Sequence, residues 1–255
     1  MGMGIAIAVS GKGGVGKTFV SSMLVKRLAE HGTVLAVDAD PDSNLPEALG
    51  VKTAKNVGEA RESIANAPAR SKVASAKQEY LELALHEAIE EFPQFDLLVM
   101  GRPEGEGCYC AVNHIIRQVI DSRARGYDFT VIDCHAGLEH LSRRTTRDVD
   151  IMLLVTDATK NGMLTAGRIK ELSKELSIQF GAIMTVVNRI TDEIKPQAEQ
   201  MAQQNGLQIT AYIPYEPLVA QFDLLGKPVS DIPRDSPASL AVDDLCQKIL
   251  HYAKP

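Results

Sequence analysis

Gly11-Lys12-Gly13-Gly14-Val15-Gly16-Lys17-Thr18 is a glycine-rich run ending in Lys-Thr. An apolar run, Ile5-Ala6-Ile7-Ala8-Val9, precedes it, and a helical pattern from Val20 to Ala29 follows. Strand, glycine-rich turn and helix in that order are the setting of a phosphate-binding loop, and the spacing G-x-x-x-x-G-K-T is complete. Glycines let the backbone curl so that successive N–H groups point inward at phosphate oxygens. The new helix adds its positive dipole end. Lys17 is then expected at the β- and γ-phosphates, and the Thr18 hydroxyl at a magnesium ion.

Beyond the loop, apolar runs recur with helical patterns between them. The runs are Thr33 to Val37, Asp96 to Met100, Thr130 to Asp133, Asp150 to Asp157, Gly181 to Val187 and Gln208 to Ile213. Helices are expected at Glu59–Ala65, Lys77–Phe92, Ala111–Arg123, Thr165–Leu176, Ile194–Asn205 and Ala238–Ala253. Alternating strands and helices predict one α/β domain over residues 1–255, a P-loop fold with a mostly parallel sheet and helices on both faces. Residues 51–92 carry the weakest signal, being rich in alanine, serine and charge around the breaker Asn66-Ala67-Pro68.

Composition narrows the function. A net charge of −6 and the absence of tryptophan give no electrostatic or base-stacking case for a nucleic-acid partner. No apolar stretch is long enough to span a bilayer, so no membrane partner is expected. The N-terminal stretch has no basic leader or cleavage site, and the four cysteines are sparse. Both point to a cytoplasmic protein with free thiols.

Carboxylates end two of the apolar runs. Asp38-Ala39-Asp40-Pro41-Asp42 follows Val37, and Asp133-Cys134-His135 follows Ile132. The C-terminal ends of parallel strands face the ligand crevice, where a carboxylate can position a water or hold a cation. Asp40 also reads as a loop residue ahead of a helix start at Asn44. Cys108 and Cys110 form a C-x-C pair at the start of the 111–123 helix, where the dipole favours the thiolate. Two cysteines cannot close a tetrahedral metal site, but a two-fold dimer would supply four thiolates. Such a site suits zinc, nickel or an iron–sulfur cluster. The pair also reads as two small core residues, against which stands the Gly-rich, proline-containing loop that precedes it. Cys246, on an amphipathic terminal helix, reads as core.

With Lys12 after its first glycine, the loop K-G-G-V-G-K-T resembles the deviant Walker A loop of the SIMIBI ATPases. That group includes ParA, MinD, the nitrogenase iron protein and metal-insertion ATPases. The resemblance implies ATP and ADP bound with Mg²⁺ by Gly11, Lys12, Gly13, Gly14, Val15, Gly16, Lys17, Thr18 and Phe19. It implies a homodimer in which Lys12 reaches the partner's nucleotide, much as an arginine finger offsets charge on a transferring phosphoryl group. Asp38-Ala39-Asp40-Pro41 resembles switch I, so Asp40 would orient or activate water, with Lys12 and Lys17 as the other catalytic residues. Asp38 would lie near the magnesium. Asp133-Cys134-His135-Ala136-Gly137 resembles switch II, so Asp133 would hold magnesium with Thr18, directly or through water. Asn188-Arg189 and Pro214-Tyr215 match the base-side positions.

The run R-P-E-G-E-G-C-Y-C at 102–110 resembles the CooC group of nickel-inserting maturation ATPases, with its relative AcsF. That resemblance implies Ni²⁺ or Zn²⁺ on Cys108 and Cys110 at the dimer interface. The implied client is carbon monoxide dehydrogenase or acetyl-CoA synthase. Two other readings stay open: a positioning ATPase without metal, like ParA or MinD, and an iron–sulfur carrier or reductase.

Overall fold

Apolar side chains alternate between two faces along Ile5–Gly11, and that alternation organises the molecule. The structure is a computed structural model describing residues 4–57, 88–101, 126–135, 149–175 and 180–253. Its strands are β1 (Ile5–Gly11), β2 (Val34–Asp38), β3 (Ile89–Glu91), β4 (Asp96–Val99), β5 (Phe129–Asp133), β6 (Val149–Asp157), β7 (Phe180–Ile190) and β8 (Ile209–Pro214). Its helices are α1 (Lys17–Leu28), α2 (Leu45–Leu49), α3 (Lys160–Glu175), α4 (Lys195–Gln204), α5 (Pro217–Leu224) and α6 (Pro237–Ala253). The strands form one eight-stranded sheet in the order β3-β4-β2-β5-β1-β6-β7-β8. All pairings are parallel except β3 with β4.

Ile7 and Val9 face one core, shared with Val20, Leu24 and Leu28 of α1, Leu45 of α2, and Val242, Leu245 and Ile249 of α6. Ala8 faces the other, shared with Met163 and Ile169 of α3 and Ala198 and Ala202 of α4. Period-two side chains thus serve two helical layers, the requirement for a parallel sheet. Each fully buried Leu or Ile contributes about 1.5–3 kcal/mol. Ion pairs from Lys26 to Asp231 and from Arg27 to Asp243 fasten the end of α1 to the last part of the chain.

Three elements differ from the sequence reading. Helix was expected through Phe92, but Ile89–Glu91 pairs antiparallel with β4, Ile89 opposite Leu98 and Glu91 opposite Asp96. A tight turn enforces this, with the Phe92 N–H donating to the Phe95 carbonyl and the two rings 5.5 Å apart. α3 starts at Lys160 rather than Thr165, because the Thr159 hydroxyl accepts from the Gly162 N–H at 3.0 Å and caps the helix. α5 was not anticipated; its cap is Glu216, whose carboxylate accepts from Leu218 N–H, with Pro217 in the first turn. The expected helices at 59–65 and 111–123 lie outside the described residues. Among the described residues no helix is long and apolar enough to cross a membrane.

The strand order places the site. β1 lies between β5 and β6, and the chain crosses from one side of β1 to the other between those strands. The C-terminal end of β1 is therefore at a topological switch point, where α/β sheets bind ligands.

Candidate nucleotide site

Gly11 ends β1, opposite Val155 of β6. From there the chain turns through Gly14 and Gly16, at φ 79° and 89°, into α1. Alternating left-handed residues build a nest of inward N–H groups. Gly16 has a second reason to lack a side chain, since a Cβ there would stand 2.4 Å from Asn188 Nδ2. Val15 is buried and pins the loop to the core, while Lys12, Gly13 and Gly14 are exposed. Lys17 is only 8% exposed, and its ammonium donates to the Lys12 carbonyl at 3.2 Å. Lys12, on the open rim, has the accessibility that a contact in trans requires.

Under the loop lies a buried acidic pair. β2 and β5 are in register, with Asp38 opposite Asp133. Neither carboxylate is more than 1% exposed. Asp133 accepts from the Ser21 hydroxyl at 3.0 Å and from the Thr18 hydroxyl. Thr18 and Ser21 are three apart, so α1 presents both on one face. Ser21 was not among the expected residues; its signal is a small polar residue one turn beyond the loop threonine. Asp38 accepts from the backbone N–H groups of Asp40 at 3.0 Å and Leu45 at 2.9 Å, bracing the segment that enters α2. Asp40 is half-buried and accepts from Asp42 N–H at 3.0 Å.

Among the described residues no group of three or more His, Cys, Asp or Glu side chains could hold a metal ion. Mg²⁺ does not need such a cage. It keeps waters and takes phosphate oxygens, with one or two hard oxygen ligands from protein. The Thr18 hydroxyl and the buried Asp133 carboxylate are donors of that kind, so these residues fit the ion.

The acidic pair carries a pH signature. Burial pushes Asp38 up to about 7, and repulsion from Asp133 adds to it. Burial also raises Asp133, to about 6, against the Thr18 and Ser21 hydroxyls and the Lys17 ammonium, which lower it. A carboxylate with a raised folded-state pKa binds more protons folded than unfolded, so its contribution to stability falls as pH rises. That contribution is complete below the ordinary value of 3.8 and is lost through about 6 and 7. Thermal unfolding without ligand should therefore show a loss of Tm between about pH 4 and 7 that shrinks in Asp133→Asn. An identical pH slope in the two proteins would contradict this. Magnesium favours the charged pair, so adding it near pH 6 should release protons.

Beside the loop opens a pocket of about 630 Å³, within the range of small-ligand sites. Gly16, Thr18, Phe19, Asn188, Arg189, Pro214 and Tyr215 all line it, so the structure brings the expected base-side residues together. Its other lining residues include Glu47 of α2 and Val219 and Asp223 of α5, which the sequence reading does not place there. Asn188 is 4% exposed; its Nδ2 donates to the Val15 carbonyl at 2.9 Å, and its Oδ1 accepts from Arg189 N–H at 2.9 Å. An amide has two N–H groups and two oxygen lone pairs, so one of each remains for a purine edge.

Cys108 and Cys110 lie outside the described residues, as does Gly137. Cys134 is core: burial pushes its thiol well up, and Sγ faces the Ile132 carbonyl at 3.7 Å. Cys246 is core too, with burial raising it to about 11.

Residues 6–229 match the family described as the CobQ/CobB/MinD/ParA nucleotide binding domain. An uncharacterized ATP-binding protein of Methanocaldococcus jannaschii is 46% identical, over 96% of this chain and 98% of its own. The carbon monoxide dehydrogenase accessory protein CooC of Rhodospirillum rubrum is 30% identical, over 74% of this chain and 75% of its own. The structure of the cell division ATPase MinD of Pyrococcus furiosus aligns with a TM-score of 0.73 at 27% identity, covering 98% of this chain and 99% of that one. By the family match, the phosphate loop and the shared fold, this chain belongs to the CobQ/CobB/MinD/ParA family of nucleotide-binding P-loop ATPases.

Proposed function

We propose that this protein is a dimeric ATPase whose nucleotide state controls a nickel or zinc site made by Cys108 and Cys110, in service of nickel insertion into a client enzyme. The observation that carries the ATPase half is the convergence of Lys17, Thr18 and the Asp133–Asp38 pair beneath a nested phosphate loop. The metal half is supported by the C-x-C pair and by the likeness to the Rhodospirillum accessory protein. The client is then carbon monoxide dehydrogenase or a related nickel enzyme such as acetyl-CoA synthase.

In this reading the loop N–H groups and Lys17 hold the β- and γ-phosphates, and Thr18 and Asp133 hold Mg²⁺. The ion supplies charge neutralisation between the phosphates. Asp40 orients the attacking water, and Asp38 braces the segment that carries it. Asn188, Pro214 and Tyr215 receive the base. Lys12 of one protomer reaches the nucleotide of its partner, so the closed site exists only in the dimer. ATP shifts the dimer only to the extent that it binds the closed form better than the open one.

Sedimentation with Mg-ATP tests the dimer. Wild-type protein is expected to sediment as a dimer with Mg-ATP, and Lys12→Ala as a monomer under the same conditions. A Lys12→Ala protein that dimerises as well as wild type would sink the role of Lys12.

A second reading, a positioning ATPase without metal, is favoured by the likeness to the Pyrococcus cell division ATPase over nearly its full length. It shares the nucleotide chemistry and differs in needing no function for Cys108 and Cys110.

A further inference from the structure

The end of β7 grips the phosphate loop at two consecutive carbonyls. Asn188 Nδ2 donates to the Val15 carbonyl at 2.9 Å, and Arg189 Nη1 donates to the Gly14 carbonyl at 3.1 Å. Neighbouring side chains on a regular strand point to opposite faces, so Asn188 and Arg189 should not reach the same loop. They do so because Arg189 has left-handed backbone, φ 57°. The register of β7 with β8 shifts between Val187 and Ile190, around the same residues. A left-handed backbone is unfavourable for a bulky residue, and irregularities of this kind re-aim side chains beside functional sites. The turn is held from behind by the Tyr215 N–H, which donates to the Ile190 carbonyl at 2.8 Å.

The direction of the grip matters. A peptide carbonyl and the next N–H lie in one plane and point opposite ways. Holding the Gly14 carbonyl toward Arg189 turns the Val15 N–H the other way, and holding the Val15 carbonyl does the same for the Gly16 N–H. We infer that Arg189 is a positioning residue for the phosphate loop: it presets the N–H nest for the triphosphate, although its side chain lines the pocket beside it. The inference rests on the nucleotide-site reading and deepens it. Arg189 serves the phosphate end of the ligand, and base recognition is left to its neighbours.

Three ligands and one exchange measurement separate this from the alternatives. Arg189→Gly removes the side chain and keeps the left-handed backbone available. It is expected to weaken ATP and inorganic tripolyphosphate by the same factor, about tenfold, the size of a hydrogen bond from a charged donor. Adenosine, which never meets the loop, is expected to bind as in wild type. Hydrogen exchange at residues 12–16 without ligand should be faster in Arg189→Gly, with β1 and β5 unchanged. Arg189→Lys, which keeps a cation and a donor, should recover part of both effects; if Arg189→Gly fails to fold, the same comparison is made between Arg189→Lys and wild type, with smaller losses of the same pattern. A loss confined to ATP and adenosine would make Arg189 a base contact and overturn the inference. Equal loss for the two phosphates with unchanged loop exchange would make it a direct phosphate contact and overturn it as well. Wild-type protein that bound neither ATP nor tripolyphosphate would overturn the nucleotide site itself, a result distinct from either of these.

Discussion

Lys17→Ala is expected to lower ATP hydrolysis by about 10²–10³-fold, the usual cost of removing one preorganised electrostatic contact to a transition state. Lys17, the first residue of α1, is buried at the end of the loop, where a charge acts with little solvent screening. It also lowers the pKa of Asp133, so its removal leaves that buried carboxylate harder to ionise and weakens the magnesium site as well. The fold should survive. The ammonium's hydrogen bond is to the carbonyl of exposed Lys12, which water can satisfy instead. Phosphate release and thermal unfolding, measured on the same preparation, check both halves. Lys17→Arg should not restore activity, because a planar fork does not replace a point charge in an enclosed site. Activity within a few-fold of wild type in Lys17→Ala would mean that the loop does not work as its geometry indicates.

The second large effect is expected at the cysteine pair. Replacing Cys108 and Cys110 with alanine in one protein removes every thiolate the proposed metal site has, in both protomers. Nickel and zinc affinity should fall by more than about 100-fold, beyond what even changes around intact ligands can cost. ATP hydrolysis and Mg-ATP binding should persist, because no residue of the phosphate loop or the acidic pair is altered. Soft thiolates are also what would separate a nickel or zinc site from the hard oxygen donors at Thr18 and Asp133.

The parts of this site that were legible in the sequence are those built by adjacent residues. Gly11 to Thr18 carries strand end, nest and helix start within eight positions. Asp38 and Asp133 were readable as strand-end carboxylates, but their mutual burial depends on the register of β2 with β5, which no local pattern encodes. The same holds for Arg189. Its sequence neighbourhood reads as a β–α turn, and only the packing of β7 beside the loop shows that it holds Gly14. β3 escaped because three residues are too few to show a period of two against a helical background. α5 escaped although Glu216-Pro217 is a usable start signal, because the pair also reads as a plain turn. The acidic and polar wall from Glu47 and Asp223 comes from two short helices far apart in the chain and had no sequence signal.

In the proposed function nucleotide state and metal binding are coupled, and coupling is reciprocal at equilibrium. The direct measurement is equilibrium dialysis of nickel, and separately zinc, against wild-type protein with Mg-ATP and with Mg-ADP, beside the Cys108→Ala/Cys110→Ala protein. One ion shared between two protomers is expected to bind tightly with Mg-ATP and more weakly with Mg-ADP, and not at all in the double variant. Metal affinity that is the same with both nucleotides, or unchanged by loss of the two cysteines, would contradict it.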